Sequence, residues 1–488
     1  MFRRIILTLT GLVTVLVAAP QALAVRTAHD NSSSSGTISL SSAVYDVNEN
    51  AGQYPITLTR TGDTSKPATV CYGVKNVSSE AGQNFDKIGN SEATFAAGAA
   101  TTTFNLNVHD QGINGLARMA QAYIFQCGRA TSEPVGSPSK ATLNLLQNDP
   151  LAVKDPANPL GYPQTPTDGD PLQFVNWYVY GPLSPAGAAL GNYKSNPAYA
   201  QALHTIAYSP GSGTYRFWMW NQPASSLAAT VEKFLADAEV AQPNTTIALS
   251  SYSLVHGACE SPKAIKSGYE NWITQLAKGI GNFRVVLYLE EDSLIETHCL
   301  THAQLQTRLS ELAYAVKTLS QDPHLLIYMD AGAPDGWNNA AETARLLKQA
   351  DVGDADGFFV NATHNDWTTT DVHYGQEIAN ALGGKHFIVQ TDDNGRGPLV
   401  PDDRKDNGNE DLCNPAGRGT GPLTWDTGYK YVDGFLWFNN PGNSDGPCGM
   451  GAPPVSAFWA PYAVGLVQRG TQKVTGPHFN LLTSNTDA

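Results

Sequence analysis

The sequence predicts a multidomain chain: an N-terminal all-β, Ig-like sandwich and a C-terminal α/β domain whose parallel strands form a distorted TIM-like barrel. Three observations predict it. At 488 residues the chain is too long for one hydrophobic core. Residues 37–149 read as strands alone, punctuated by Gly, Asn, Asp and Ser. Residues 172–488 alternate helical and buried-strand patterns, which implies a parallel sheet closed or nearly closed on itself.

The elements follow in order. Arg3 and Arg4 precede an apolar run from Ile5 to about Ala19, and Ala22-Leu23-Ala24 has the small-x-small pattern of a cleavage site. Residues 1–24 therefore read as a signal peptide, the run being shorter than the roughly 20 residues that span a bilayer. Residues 25–36 are a Ser-rich linker. Strand patterns then occupy 37–47, 54–60, 68–74, 93–108, 120–127 and 140–147, as in a sandwich. The Pro-rich stretch 150–171 reads as a stiff spacer or as a strap across the next domain. After it, helical patterns at 226–241, 269–280, 303–320, 340–350 and 373–382 each lead into an apolar strand.

Composition narrows the function. The formal charge of -14 argues against nucleic acid, whose binding draws on clustered Lys and Arg. Neutral sugars tolerate such a surface. Charged residues are scarce at 15%, while Gly (45) and Pro (30) are plentiful, as in loop-rich exported proteins. Export permits disulfides, and the six cysteines fall into the neighbouring pairs Cys71–Cys127, Cys259–Cys299 and Cys413–Cys448. Six cysteines allow 15 connectivities, so this pairing is an expectation. No cysteine spacing resembles the CxxC of zinc sites.

Polar and acidic residues gather at the C-terminal ends of the predicted parallel strands, where active sites of such folds lie. Asp292 in LEEDSL, Asp330 in YMDAG and Asp445 in NSDG are foremost. An Asp at a strand end is by itself more often a cap or a turn residue. Here the surrounding segments count: Glu290 to Leu294; Asp330, Ala331, Gly332 and Trp337; Asp393 to Arg396; Asp411 to Gly421; and Asp433 to Gly446. In this order they resemble the motifs of glycoside hydrolase family 6, the cellulases, over most of residues 172–470. The resemblance implies cleavage of β-1,4-glucan, internally and with inversion, by two carboxyl groups flanking the scissile bond with water between. It implies that Asp292 is the general acid and Asp445 the base, with Arg396 paired to Asp445. Tyr252 would lean on the sugar at the cut, Asp330 would support Asp292, Trp337 would stack on a sugar, and Asn361 would bond a hydroxyl. No cofactor is implied for catalysis. The short intervals between the paired cysteines favour an open cleft, and Phe217, Trp218 and Trp220 are aromatics for its floor or for the core.

Departures from the family pattern lie around the same site. Gly257-Ala258-Cys259 stands where the family has Arg-Asp-Cys, so one supporting carboxylate is absent, with His256 or Glu260 as stand-ins. Asn439 replaces a sugar-binding Lys, Asn443 a Glu and Leu412 a Trp. The alternative is thus a weak or inactive carbohydrate-binding or adhesion protein on a hydrolase scaffold. The expected partner is a polysaccharide, with no nucleic acid, no membrane after signal removal, and a monomeric chain in the extracellular or periplasmic space.

In the first domain, NENAG after the opening strand, Thr59-Arg60-Thr61-Gly62 and the closing NDP resemble a Calx-β domain. That resemblance implies a structural calcium site from Glu49, Asp86, Asp110 and Asp149. The segment after Asp110 lacks the further carboxylates that calcium's six to eight oxygen ligands call for.

Overall fold

The computed structural model describes residues 36–484 except 78, 80, 83, 111–117, 129–130, 147–152, 168, 211–213, 218, 220–221, 255–265, 296, 400–412 and 449–450. The signal peptide, Asp149, Trp218, Trp220, the 256–260 segment with Cys259, and Leu412 lie outside the described residues.

The N-terminal part is two sheets around one core. Strands β1 (Ile38–Leu40), β3 (Gln53–Arg60) and β6 (Thr101–Asn107) form the first. The second has the order β2 (Val44–Asn48), β8 (Lys140–Leu146), β7 (Arg118–Phe125), β4 (Ala68–Asn76), β5 (Ser91–Phe95). Alternation sends Ile56, Leu58, Phe104 and Leu106 of one sheet against Val70, Ile124, Leu143 and Leu145 of the other. The stretch predicted as one strand over 37–47 is two, because a break at Ser41–Ala43 carries the chain from β3's side to β8's. Likewise 93–108 divides into β5 and β6, one per sheet, around Gly98 at φ 84°. The disulfide Cys71–Cys127 ties β4 to the segment that follows β7.

The second part is a seven-stranded sheet in strict sequence order: β9 (Tyr215–Phe217), β10 (Ile247–Ser251), β11 (Val285–Leu289), β12 (Leu325–Asp330), β13 (Gly357–Val360), β14 (His386–Gln390) and β15 (Val432–Leu436). All its ladders are parallel. Helices α3 (Ala224–Ala241), α4 (Lys266–Ile280), α5 (His302–Leu319), α6 (Ala340–Gln349) and α7 (Thr368–Ala381) return the chain between strands. Burial on both faces explains the unbroken apolar runs. Val285, Leu287 and Leu289 of β11 face the helices, while Val286 and Tyr288 join Leu326, Tyr328, Phe359 and Ile388 inside the barrel. Among the described residues no ladder joins β9 to β15. Thr214 crosses that gap instead, its hydroxyl bonded to the Phe438 carbonyl. Three further helices, α1 (Pro185–Leu190), α2 (Pro197–Tyr208) and α8 (Ala460–Arg469), make a satellite core of Leu203, Ile206, Ala463 and Val464.

The Pro-rich stretch is a strap. Leu160 and Leu172, 1% and 0% exposed, enter the barrel-interior cluster from the N-terminal ends of the strands. Each such burial stabilises by about 1.5–3 kcal/mol. Lys154 Nζ donates to the Leu325 carbonyl (2.8 Å) and Asp356 (3.1 Å), and Arg284 Nε donates to the Leu160 carbonyl (2.8 Å). Packing of the barrel therefore begins before the boundary expected at residue 172. On the flank, Arg118 of β7 meets Glu232 of α3 at 3.3 Å, linking the two parts through a largely buried ion pair. Among the described residues no helix is long and apolar enough to cross a membrane.

Candidate active site

The C-terminal ends of the parallel strands surround a cleft of about 810 Å³. Tyr252 and Asp292, from the ends of β10 and β11, and Asn439 and Asp445, both from the segment after β15, all line it. Four residues at these ends hold left-handed backbone without being glycine: Glu290 (φ 55°), Asp292 (65°), Asn361 (68°) and Asn440 (62°). Such strain persists only where surrounding structure overdetermines it, and it clusters at functional sites.

The turn after β11 is pinned from below. Glu290, fully buried, accepts from the backbone N–H groups of Ser253 (2.8 Å) and Leu254 (2.7 Å), locking it to the end of β10. Asp330, at the end of β12, accepts from Leu294 N (2.7 Å) and Gly332 N (3.2 Å). Burial, reinforced by the charge of Asp292, pushes Asp330 up to about 7. Gly332 (φ 69°) is fixed here by need, since an added Cβ would stand 3.0 Å from Ile295 Cα. Above these braces Asp292 presents its carboxyl to two hydroxyls: Tyr252 Oη donates to Oδ2 (3.1 Å) and Thr363 Oγ1 to Oδ1 (2.7 Å).

Asp445 is built differently. Asn414 and Asp445 exchange two hydrogen bonds, Asn414 N to Asp445 Oδ2 and Asp445 N to Asn414 Oδ1, both 3.0 Å. The Cys413–Cys448 disulfide staples the same two segments. Asp445 is exposed on the cleft, while protein packed around its other sides raises its pKa, as does the charge of Asp292. Arg216, from β9, works the other way. Its Nη2 donates to both oxygens of Glu291 (2.7 and 2.6 Å) and to Asn439 Oδ1 (2.6 Å). Beside the cleft, buried His364 pairs with Asp335 at 2.7 Å; burial pulls the imidazole down, but Asp335 outweighs it and lifts His364 to about 9.

Two expected site residues are corrected. Arg396 is exposed and donates from Nε to the Arg469 carbonyl (3.0 Å), and no ion pair joins it to Asp445. The course of the chain at the end of α8 puts a nearer acceptor beside it. Asn361 is fully buried and satisfied by protein: Nδ2 donates to the Gln390 carbonyl (3.0 Å) and Oδ1 accepts from Asp366 N (3.1 Å). It holds the β13 end against β14. Trp337 is 45% exposed and stacked on His298 at 4.1 Å, apart from the residues that line the cleft. Phe217 is core, not cleft floor. Cys299 is in a disulfide whose partner lies outside the described residues. Sequence reading did not single out Thr363, Arg216, His364 or Asp335.

The three expected calcium ligands among the described residues, Glu49, Asp86 and Asp110, do not converge. Asp86 spends its two oxygens on Asn107 (2.7 Å) and His109 (2.9 Å). Among the described residues the one cluster of metal-type donors is Cys71, Glu92 and Cys127, where both thiols are consumed by the disulfide. Glu49, Asp86 and Asp110 thus share no site, and no step is assigned to a metal.

A parallel α/β barrel with two carboxyl groups lining one cleft at the strand ends fits a glycoside hydrolase class of site. The sequence profile of glycosyl hydrolases family 6 matches residues 188–470, and the chain belongs to that family. It is 30% identical over 315 residues to endoglucanase 1 of Streptomyces halstedii, covering 62% of this chain and 93% of that one. Endoglucanase A of Thermobispora bispora is 31% identical over 241 residues, covering 47% of this chain and 50% of the relative. Among solved structures, the endoglucanase of Mycobacterium tuberculosis in complex with a methyl-cellobiosyl-thio-cellobioside aligns with a TM-score of 0.55 and 32% identity. That alignment covers 62% of this chain and 99% of that one.

Proposed function

We propose that this chain is an exported β-1,4-glucan hydrolase that cuts internally and inverts the anomeric centre. Asp292 is the general acid and Asp445 the base. The observation that carries this reading is their placement on one cleft from different strand ends, each carboxyl independently braced. Tyr252, which already touches Asp292, adjoins the sugar at the cut, and Asn439 faces the sugars on the non-reducing side. Exposed Trp337 offers a stacking face to a sugar farther along the glucan. Thr363 supplies a second hydroxyl contact to Asp292. The chain acts as a monomer, and its N-terminal sandwich, Calx-β-like by its sequence motifs, is an accessory module.

Release of reducing sugars from soluble β-1,4-glucan tests this directly. Asp292→Ala is expected to abolish it, with the first product appearing as the α-anomer by NMR in the parent protein. Binding of glucan without hydrolysis by the parent would favour the inactive-scaffold reading, and a rate unchanged by Asp292→Ala would remove Asp292 from the mechanism.

A further inference from the structure

The cleft is electrically lopsided. Among the described residues that line it, Glu291, Asp292, Asp392, Asp393 and Asp445 are acids and Arg216 is the cation. Arg216 is held on several sides: beyond Glu291 and Asn439, its Nε donates to Ser250 Oγ (3.0 Å), which in turn donates to Glu291 Oε1 (2.8 Å). The Glu291 side chain is 1% exposed, whereas that of Arg216 keeps 21% exposure toward the cleft. A carboxylate so enclosed persists only when paired and hydrogen-bonded. Glu291 is therefore an anchor that fixes where the guanidinium stands.

We propose that Arg216 is a positioning residue that holds Asp445 as a carboxylate, with Glu291 as its buried anchor. The inference rests on the reading of Asp445 as the base. The ionisable groups facing Asp445 come from several elements: Asp292 from the turn after β11, Asp392 and Asp393 from the end of β14, Tyr462 from α8, and Arg216 from β9. The carboxyls all disfavour a further negative charge. Arg216 opposes them, and a guanidinium does so at every relevant pH because it does not deprotonate in proteins. Arg216 thus does for Asp445 what the family resemblance assigned to Arg396, from a different strand.

The test is a carbon-13 NMR titration of the full chain labelled at aspartate carboxyls, with Asp445 assigned by difference against Asp445→Asn. Arg216→Met is expected to raise the Asp445 midpoint by about one pH unit, the low end for losing an opposite charge nearby. Arg216→Lys should leave it near the parent value. Glu291→Gln should move it the other way, downward, because the cation then lacks its neutralising partner. The acidic limb of kcat/KM should follow each shift, since it reports the base of the free enzyme. A midpoint unmoved in Arg216→Met overturns the proposal. If that variant does not fold, Glu291→Gln decides alone: a fall supports the proposal, and no change or a rise overturns it. The titration needs no turnover, so failure of the parent to hydrolyse glucan would count against the functional reading and leave this test standing.

Discussion

At the scale of single residues, Asp292 depends on neighbours that no linear motif places beside it. Thr363 reaches its Oδ1 from the end of β13 at 2.7 Å. A hydrogen bond to a charged group contributes about 1.5–3 kcal/mol, and each 1.36 kcal/mol of barrier is roughly tenfold in rate. Thr363→Val is therefore expected to lower kcat about tenfold while leaving KM near the parent value, as steady-state assays on a soluble glucan would check. An unchanged kcat would make the contact incidental. The place of Asp292 and Asp445 on the cleft was legible because they sit in ordered motifs at strand ends. Arg396 was misread for a physical reason: a motif fixes residue order, whereas the partner of an arginine depends on which carbonyl the fold brings near, here that of Arg469. Arg216 and Thr363 left no linear signal, since only the curl of the sheet brings β9 and β13 to the same cleft.

At the scale of elements, the parallel strands were readable from apolar runs alternating with helical periodicity. The break at Ser41–Ala43 was not, because the residues on either side of it keep the same strand-like pattern while the chain changes sheets. Helix α2 was missed although its start carries a signal: Asn196 caps it through Tyr199 N, and Pro197 occupies the first turn. The two described disulfides differ in what they hold. Cys413–Cys448 spans a sequence separation of 35 and fastens the segments that exchange hydrogen bonds between Asn414 and Asp445. In chain-entropy terms such a link contributes on the order of 4 kcal/mol. Replacing both of its cysteines by Ser is expected to lower kcat several-fold, measured well below the melting transition. The same change at Cys71 and Cys127 should lower the melting temperature and leave kcat alone. Equal effects of the two pairs on kcat would show that the Asp445 staple has no special role.

For the whole molecule, the two parts meet through the strap and through Arg118 and Glu232. Removing one partner of a largely buried ion pair leaves the other uncompensated, at a cost of about 3–5 kcal/mol. Arg118→Met is thus expected to lower the melting temperature or split the calorimetric transition in two, with turnover unchanged; a single transition at the parent temperature would mean the pair does not couple the parts. The two-part layout was visible in composition and periodicity. The extent of the barrel was not, because Leu160 lies in a Pro-rich stretch whose texture is that of a spacer. That strap has a consequence for modularity. The family match starts at residue 188, yet the floor of the barrel is laid by residues from about 153 onward. Any exchange of the N-terminal sandwich, by recombination or by a designed fusion, keeps a sound barrel only if the junction falls ahead of Lys154. A junction at the family's own border would deliver an enzyme with its underside open to water.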